Sequence, residues 1–447
     1  MMRTYQKRIG FLVSSQTLIP HGGIGQFAKS FCELMDEYNI KVDIITDKEP
    51  ANSEFVKVLN TNVITPTDPY KYTTHSSTFM YGDTFCYERM ANFRNAIIKA
   101  LGSNVYDAFV CNTYETIQVA STMGLEDVVQ IIAYTHLESQ IFSDTSNPFL
   151  HNTNEMMRQQ LQTDGIYIGT QSKYNQLQFD CAYHLPIPIT ERGLLEEHHV
   201  DREGVLFIGR WEEGKNPELF LDLIEKTKLP AKVMTSPNGV KKFEERLKKI
   251  GVPYDVRASI IGREKVEFIT SARVAFNPST VESYGMAFYE QMIQLPTFCL
   301  ESQGWTQNFE GNLFFETNKK TMIEDVLGAY ERFKTASDWY GNKSSLEHMR
   351  AIESQVFHKW NHCFNEFIRK QSQSNAAKIC DQQTTTVDNF YSNVLGRKNL
   401  CIDDIRSVLS NQHKFRVIYT ESDTYLTKDP SFEPKDEESS LGLFDGF

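Results

Sequence analysis

Residues 272–292 read ARVAFNPSTVESYGMAFYEQM, and their pattern indicates the architecture of the chain. The segment ARVAFNPS is a short apolar run typical of a strand, and the segment GMAFYEQM has the composition of a helix. A strand, a loop and a helix in this order place Glu282 on the loop at the carboxyl end of the strand and Glu290 about one turn into the helix. The first amides of the helix belong to Ser283, Tyr284, Gly285 and Met286. The stretch therefore predicts an α/β unit with polar groups collected at a strand end.

Strands and helices alternate in the same way on both sides of this unit. Upstream, RIGFLVSS, KVDIITD, YDAFVCN and VVQIIAYTH read as strands, and GIGQFAKSFCELMDEY reads as a helix. After a polar stretch with two prolines, HLPIPITERGLLEEHHVD, the order repeats with GVLFIGRW, NPELFLDLIEKT, AKVMTS, KKFEERLKKI and PTFCLE. Short apolar strands separated by helices indicate a parallel sheet that is covered on both faces. We therefore predict an α/β protein of two doubly wound, Rossmann-like domains that face a cleft.

The remaining segments differ in composition from these two halves. Helical patterns continue to about residue 370, and QSQSNAAKICDQQTTTVDN has the polar bias of a linker. The runs CIDDIRSVLS and FRVIYTESDTYLT suggest a small appendage before an acidic end. We expect an N-terminal domain at 1–190, a C-terminal domain at 200–345, crossover helices at 346–375, a linker with a small appendage at 376–430 and an acidic tail at 431–447.

Charge and composition exclude several classes of protein. The chain has 447 residues and a formal net charge of −12, which argues against a protein that binds nucleic acid mainly by charge. About half of the excess is local, because residues 421–447 hold eight carboxylates and two lysines, a net charge of −6. The eight cysteines lack the spacing of a zinc site or a disulfide framework, and no long apolar run is present. We expect a cytoplasmic protein with no metal site and no membrane partner.

The two glutamates of the opening stretch are the strongest candidates for a functional site. Amides at a helix start carry partial positive charge and suit a diphosphate, and Gly285 lets the backbone approach a ligand closely. Carboxylates such as Glu282 and Glu290 accept hydrogen bonds from sugar or ribose hydroxyls. Two glutamates at this spacing are also common on solvated helices, so the motif alone leaves both interpretations open.

Three further motifs add candidates. Arg210 and Lys215 in FIGRWEEGKN follow a strand, where two cations would neutralise a phosphoryl leaving group, although a surface loop with ion pairs has the same pattern. Gly23 and Gly25 in HGGIGQF form a Gly-rich turn that lacks the GxGxxG spacing of a dinucleotide site. His136 ends the strand VVQIIAYTH, a position where histidine is more often structural than catalytic.

Taken together, the Gly-rich turn, the His136 strand end, GRWEEGKN and ESYGMAFYE resemble the retaining nucleotide-sugar glycosyltransferases of the GT-B fold. The four motifs occur in the order of that family and span residues 9–300. The resemblance implies that the C-terminal domain binds a UDP-sugar donor and that the N-terminal domain takes the acceptor. Arg210 and Lys215 would hold the donor diphosphate, which the amides of Ser283 to Met286 would cap. No tightly bound cofactor is implied.

The resemblance also assigns the other candidates. Glu290 would bind the nucleotide ribose, Glu282 would hold the hydroxyls of the donor sugar, and His136 would contact the sugar near its anomeric carbon. Gly23 and Gly25 would leave room for the phosphates across the cleft. The catalytic set implied in this way is His136, Arg210, Lys215 and Glu282.

The chain departs from the family around the donor pocket. Tyr284 stands where the family generally has Phe, and YEQMIQLP is bulkier than the usual segment. The donor sugar therefore stays open between glucose and a pentose such as arabinose, the second being expected where Tyr284, Phe288 and Met292 narrow the pocket.

The last eight residues, SLGLFDGF, resemble the C-terminal sliding-clamp-binding peptides of T-even phage replication proteins. In such a peptide an apolar pocket of the clamp would receive four side chains, those of Leu441, Leu443, Phe444 and Phe447. With a GT-B body, this tail resembles the T-even phage enzymes that glycosylate 5-hydroxymethylcytosine in DNA. The implied partners are DNA that contains 5-hydroxymethylcytosine, the phage sliding clamp and a UDP-sugar, and the target base would have to leave the stack. A tether to a ring on DNA would raise the local concentration of an otherwise acidic enzyme.

Two other functions fit the same residues. One is a GT-B glycosyltransferase that acts on a saccharide, a lipid or a small molecule, with a tail that merely packs or frays. The other is a non-catalytic clamp or DNA adaptor built on a transferase scaffold. The presence of Arg210, Lys215, Glu282 and Glu290 argues against the adaptor.

Overall fold

In the computed structural model the chain forms two α/β domains, each built on a parallel sheet. The structure describes residues 7–20, 22–71, 87–112, 116–117, 119–120, 123, 125, 129–135, 166–171, 183–280, 282, 284–309, 311, 313–335, 338–339, 346–365, 415–419 and 424–428. The predicted α/β class, with two Rossmann-like domains, is confirmed.

The two sheets have the same order of strands. Within the described residues the first sheet runs β3-β2-β1-β4-β5-β6-β7 and the second runs β10-β9-β8-β11-β12-β13, with parallel pairing in both. The first sheet comprises β1 Lys7–Leu12, β2 Ile40–Ile45, β3 Asn62–Ile64, β4 Ala108–Cys111, β5 Gln130–Thr135, β6 Ile166–Thr170 and β7 Tyr183–His184. The second comprises β8 Val205–Ile208, β9 Ala231–Thr235, β10 Tyr254–Ala258, β11 Val274–Asn277, β12 Thr297–Leu300 and β13 Phe315–Thr317.

Helices connect the strands and cover the sheets. The first domain contains α1 Gly23–Glu37, α2 Ser53–Val58 and α3 Tyr87–Ser103. The second contains α4 Pro217–Thr227, α5 Pro237–Ile250, α6 Gly262–Thr270, α7 Met286–Gln294 and α8 Met322–Arg332, and α9 Leu346–Asn365 follows it. Proline at the first position starts α4 and α5, where its fixed φ is already helical, and Gly251 ends α5 at φ +77°. The helix bounds therefore follow local sequence signals.

The strand order reverses at one point in each sheet. In the second sheet β8 is the first strand of the domain, and the chain adds β9 and β10 on one side before it returns to place β11 on the other. Loops that follow β8 and β11 therefore leave the same sheet edge in opposite directions. Ligands of doubly wound sheets bind in the crevice that such a reversal opens at the carboxyl ends of the strands.

The helix α9 returns from the second domain to the core of the first. Its Trp360 is fully buried against three aromatic rings, with centroid distances of 6.1 Å to Phe27, 4.9 Å to Phe31 and 5.1 Å to Tyr134. The indole Nε1 donates to the backbone oxygen of Pro186 at 3.1 Å. A single apolar cluster thus extends from the first sheet through the interdomain linker and α9 into the second domain.

The remaining described segment is an antiparallel hairpin of β14 Phe415–Tyr419 and β15 Thr424–Lys428. The predicted linker and the acidic tail lie mostly outside the described residues. Among the helices that are described, none combines the length and the apolar character that a membrane span requires.

Candidate active site

Lys215 and Glu282 meet where the strand order of the second sheet reverses. The parallel neighbours β8 and β11 end at the same edge of this sheet, and a short 3-10 turn, Glu213–Lys215, follows β8. The Nζ atom of Lys215 lies 2.6 Å from Oε2 of Glu282, and the two side chains are 20% and 11% exposed. The structure therefore joins two residues that were predicted separately, and it places their charges at the mouth of the crevice.

Backbone contacts hold these two loops against each other. The N–H of Thr280 donates to the backbone oxygen of Gly214 at 2.9 Å and so joins the two loops. Within the loop after β11, the N–H of Ser279 donates to Oδ1 of Asn277 at 3.1 Å. Asn216 has φ +51°, in the left-handed region, and turns the chain into α4 directly after Lys215. The lysine is thus carried on a turn that is fixed at both ends.

The start of α7 requires glycine. Gly285 has φ +84°, and a Cβ atom there would lie 3.1 Å from Cζ3 of Trp305. The first turn of this nine-residue helix begins at Met286, four residues after Glu282, and Met286 is partly exposed. Its free N–H groups carry the positive end of the helix dipole and are close in sequence to the Lys215–Glu282 pair. This arrangement suits an anion with hydroxyl groups attached to it.

Glu290 lies deeper in the domain, and its partner is Lys265 of α6. The Nζ atom of Lys265 is 2.6 Å from Oε1 of Glu290, and the side chains are 6% and 3% exposed. Burial raises the pKa of the Glu290 carboxyl, and Lys265 opposes that rise. Glu290 is therefore a buried carboxylate matched by one buried cation rather than a solvated helix residue.

Arg210 is the most exposed of the predicted phosphate ligands. Its guanidinium Nη1 lies 2.9 Å from Oε1 of Glu212, and the two side chains are 52% and 42% exposed. Arg210 follows β8, as the sequence predicted, but its described ion pair is with its own loop and not with Glu282.

The two glycines of the Gly-rich turn have different surroundings. A Cβ on Gly25 would lie 2.3 Å from the backbone oxygen of Ile19, so this glycine makes room for the loop that precedes α1. A Cβ on Gly23 would meet no atom within 4 Å. Both glycines were expected to leave room for a ligand. Gly23 has open space beside it, whereas the protein itself fills the space beside Gly25.

The predicted narrowing of the donor pocket is wrong. Tyr284, Phe288 and Met292 are 5%, 0% and 1% exposed, and they pack inward. The ring of Phe288 contacts Trp305 and Phe309 at centroid distances of 5.0 and 5.6 Å. These side chains form core because α7 lies between the sheet and the segment that follows β12, so their size carries no information about the sugar.

Several predicted residues lie outside the described part of the chain. They are His136, Ser283, Leu441, Leu443, Phe444 and Phe447. Their predicted roles in sugar contact, diphosphate capping and clamp binding stay predictions.

Two charged residues near the site were not predicted, Lys265 on α6 and Glu353 on α9. Glu353 is 3% exposed and accepts hydrogen bonds from the Tyr289 hydroxyl at 2.8 Å and from Arg192 at 2.9 Å. Burial raises the pKa of the Glu353 carboxyl. Both residues occupy the apolar stripe of their helix. Lys265, Phe268 and Ile269 stand at positions i, i+3 and i+4 and therefore share one face of α6. A charge on an apolar stripe was the sequence signal that would have identified them.

A surface cavity of about 480 Å³ lies elsewhere, on the first domain. It is bounded by α1, β2 and α2, with Glu33, Lys41 and Lys57 among its lining residues. Because it is at the outer side of the first sheet, it has no contact with the Lys215–Glu282 pair.

Several solved structures share this architecture. HepE of Anabaena, in complex with UDP and glucose, matches with a TM-score of 0.59 at 13% identity, over 81% of this chain and 100% of HepE. TarM of S. aureus, in complex with Fondaparinux, alpha-GlcNAc-glycerol and UDP, matches with a TM-score of 0.57 at 11% identity, over 80% of this chain and 100% of TarM. WaaB, a lipopolysaccharide outer core galactosyltransferase, matches with a TM-score of 0.50 at 11% identity, over 80% and 100%.

No protein-family model and no curated protein matches the sequence. At identities of 11% to 13% the structural likeness defines the fold, which is GT-B, as the sequence motifs predicted.

Proposed function

We propose that this protein is a glycosyltransferase that uses a UDP-sugar donor and retains the configuration of the sugar. The observation that carries the proposal is the Lys215–Glu282 pair, 2.6 Å apart, at the strand-order reversal of the second sheet and beside the start of α7. A cation, a carboxylate and a helix N-terminus together recognise a sugar joined to a phosphate. HepE and a mutant of TarM, which share the fold, were solved in complex with UDP, and this supports the choice of nucleotide.

Each residue would serve one part of the donor. Lys215 and Arg210 would bind the diphosphate, and Arg210 would exchange its exposed contact with Glu212 for a phosphate oxygen. The N–H groups at the start of α7 would cap the phosphate next to the sugar. Glu282 would accept hydrogen bonds from sugar hydroxyls, and Glu290 would accept them from the ribose.

The reaction exchanges one bond at the anomeric carbon for another. The bond between the sugar C1 and the oxygen of the β-phosphate breaks, and the bonding electrons leave with UDP. The acceptor hydroxyl oxygen attacks C1 from the same face, and its proton passes to the departing phosphate oxygen. Lys215 and the helix amides stabilise the negative charge as it develops, which is the main contribution that such a site makes to the rate.

For the acceptor we propose the hydroxymethyl group of 5-hydroxymethylcytosine in phage DNA, with glucose or arabinose as the sugar. The support is the resemblance of SLGLFDGF to clamp-binding peptides together with a GT-B body. The net charge of −12 gives the protein itself little attraction for DNA, so a tether to a clamp would compensate.

A saccharide or lipid-linked acceptor is the second candidate. It is favoured by two of the structural matches, since WaaB is a lipopolysaccharide outer core galactosyltransferase and a mutant of TarM was solved in complex with alpha-GlcNAc-glycerol. The two candidates share the donor site and differ in the loops of the first domain.

A transfer assay separates the candidates. The full chain is incubated with labelled UDP-glucose or UDP-arabinose and with hydroxymethylated or plain DNA of the same sequence. Label on hydroxymethylated DNA alone is the expected result. Absence of label on both DNAs with every UDP-hexose and UDP-pentose, while the protein hydrolyses or binds UDP-sugar, would point to the saccharide acceptor.

The tail is tested in a separate experiment. Deletion of residues 439–447 should abolish binding to the clamp and leave transfer to short oligonucleotides intact, because the peptide lies outside the donor machinery. Clamp affinity that survives the deletion would exclude this role. Clamp binding without UDP-sugar binding would favour the non-catalytic adaptor.

A further inference from the structure

We propose that Lys265 is a positioning residue for the nucleotide, which holds Glu290 in the ionised form and in one orientation so that the carboxylate accepts two hydroxyls of the ribose. The inference rests on the proposed function, because it deepens the role of Glu290 in donor binding. It assigns a specific task to a lysine that is not itself a ligand of the donor.

Geometry gives Lys265 and Glu290 a fixed relation. The Nζ atom of Lys265 is 2.6 Å from Oε1 of Glu290 and 3.2 Å from Oγ1 of Thr190. Lys265 lies on α6 and Glu290 on α7, so two helices of the same domain hold the pair, and Thr190 belongs to the linker between the domains. An ammonium group with two acceptors restricts the rotamer of each side chain that it touches.

Other charges surround the pair on the side of the linker. Glu191 lies next to Thr190, and its Oε2 is 3.1 Å from Nζ of Lys29 on α1. The Nζ atom of Lys29 also donates to the backbone oxygen of Thr190 at 2.7 Å, and Oε1 of Glu191 accepts from the N–H of Gly262 at 2.9 Å. The negative charge of Glu191 raises the pKa of Glu290, while the positive charge of Lys29 lowers it. Glu33 contacts Lys29 at 3.1 Å.

Tyr289, the residue before Glu290 on α7, makes a separate set of contacts. Tyr289 donates to Glu353, which also binds Arg192, so those charges are matched within their own group. Lys265 is therefore the cation in direct contact with Glu290 in the described structure, and its loss would not be replaced by a charge from that side.

Because Glu290 is buried, the charge of Lys265 affects how readily its carboxyl ionises. Burial disfavours the ionised form of a carboxyl, and a protonated carboxyl loses one of its acceptor positions. Since burial already raises the pKa of Glu290 and Lys265 opposes the rise, removal of the lysine charge would raise that pKa further. Glu290 would then be protonated over a wider pH range, and the ribose would lose its acceptor in that range.

The experiment measures UDP binding to the full chain by calorimetry as a function of pH. The wild-type protein is compared with Lys265→Gln, which keeps a hydrogen-bond donor and removes the charge. We expect the fall in UDP affinity toward low pH to begin at a higher pH in Lys265→Gln, with affinity about tenfold weaker than wild type for each pH unit of displacement. As the pH rises the two affinities should converge, because Glu290 becomes ionised in both proteins. Lys265→Arg, which keeps the charge, should retain the wild-type pH profile.

The matched control is Arg8→Gln. Arg8 pairs with the buried Asp43 at 3.3 Å in the first sheet, away from the donor site. The UDP affinity of the Arg8→Gln variant should have the wild-type pH profile, whatever the stability of that variant. If Lys265→Gln does not fold, Lys265→Arg decides: a wild-type profile supports the proposal, and a displaced profile overturns it.

Two negative results are distinguishable. If the wild-type protein binds UDP and Lys265→Gln shows the same pH profile, Lys265 has only a structural role, and the donor function stands. If the wild-type protein binds no UDP at any pH, the proposed function and this inference both fail.

Discussion

Two lysine–glutamate pairs of the second domain have the same separation and different burial. The Nζ-to-oxygen distance is 2.6 Å both in Lys215–Glu282 and in Lys265–Glu290. The first pair keeps 20% and 11% of its side chains exposed, and the second keeps 6% and 3%. Equal distance therefore does not imply an equal role.

The solvent exposure of each pair determines its role. A pair in contact with solvent exchanges its partner for a ligand at small cost, whereas a buried pair that loses one partner leaves an uncompensated charge. The pair at the mouth of the crevice suits a step in which charge moves, and the buried pair suits a binding geometry that stays the same. The pair Arg210–Glu212 is more exposed than either of these, with its side chains 52% and 42% exposed.

Breaking the buried pair should have the largest effect. Glu290→Leu leaves the ammonium group of Lys265 buried without its carboxylate, and we expect a loss of about 3–5 kcal/mol in the free energy of unfolding. The double variant Lys265→Met with Glu290→Leu should recover most of that loss and still bind UDP poorly. Urea denaturation and UDP titration measure the two quantities. A single variant as stable as wild type would contradict the assignment of the pair as a buried unit.

Breaking the pair at the mouth should reduce activity and spare stability. Lys215→Met removes a cation from the leaving group, so we expect turnover to fall by roughly 10²–10³ while the free energy of unfolding changes by less than about 1 kcal/mol. Arg210→Ala should reduce turnover by orders of magnitude for the same reason. The matched control is Lys241→Met, whose side chain is 87% exposed on α5, and it should retain wild-type turnover. Near-normal turnover of Lys215→Met would remove this lysine from the proposed mechanism.

Removal of the Tyr289 hydroxyl tests whether α7 is anchored to α9. Tyr289→Phe removes a 2.8 Å hydrogen bond to the Glu353 carboxylate, and we expect a loss of about 1.5–3 kcal/mol in stability. Turnover at saturating donor should change little once the protein is folded. Thermal unfolding provides the measurement, and an unchanged midpoint would show that Arg192 and the N–H of Ile189 satisfy Glu353 without the hydroxyl.

Arg210–Glu212, the most exposed of the three pairs compared, should have the smallest effect. Glu212→Gln removes the partner of Arg210, and we expect stability to change by no more than about 0.5 kcal/mol. Turnover should stay within a small factor of wild type, because Arg210 remains available to the diphosphate. A large loss of turnover would indicate that Glu212 orients Arg210 for the reaction.

The sequence predicted the parts of this site that follow from chain order. Lys215 and Glu282 were each predicted to follow a strand, and because parallel strands end at one sheet edge, the two residues meet there in the structure. The strands β10 and β13 were not predicted, because edge strands such as YDVRA lack the apolar run of a buried strand. Lys265 was missed for another reason. Its place on the apolar stripe of α6 marks it as buried, but its contact with Glu290 of α7 depends on tertiary packing, which the motifs do not contain.

The return of α9 to the first domain bears on how the protein is synthesised. The aromatic group of Phe27, Phe31 and Tyr134 is complete only when Trp360 has been added to it. A ribosome that has finished residue 200 still has 160 residues to add before Trp360, which takes on the order of 8–32 s at typical rates of translation. The domain that is made first is therefore completed only after most of the second domain has been synthesised, and until then its three aromatic rings lack the cover that Trp360 provides.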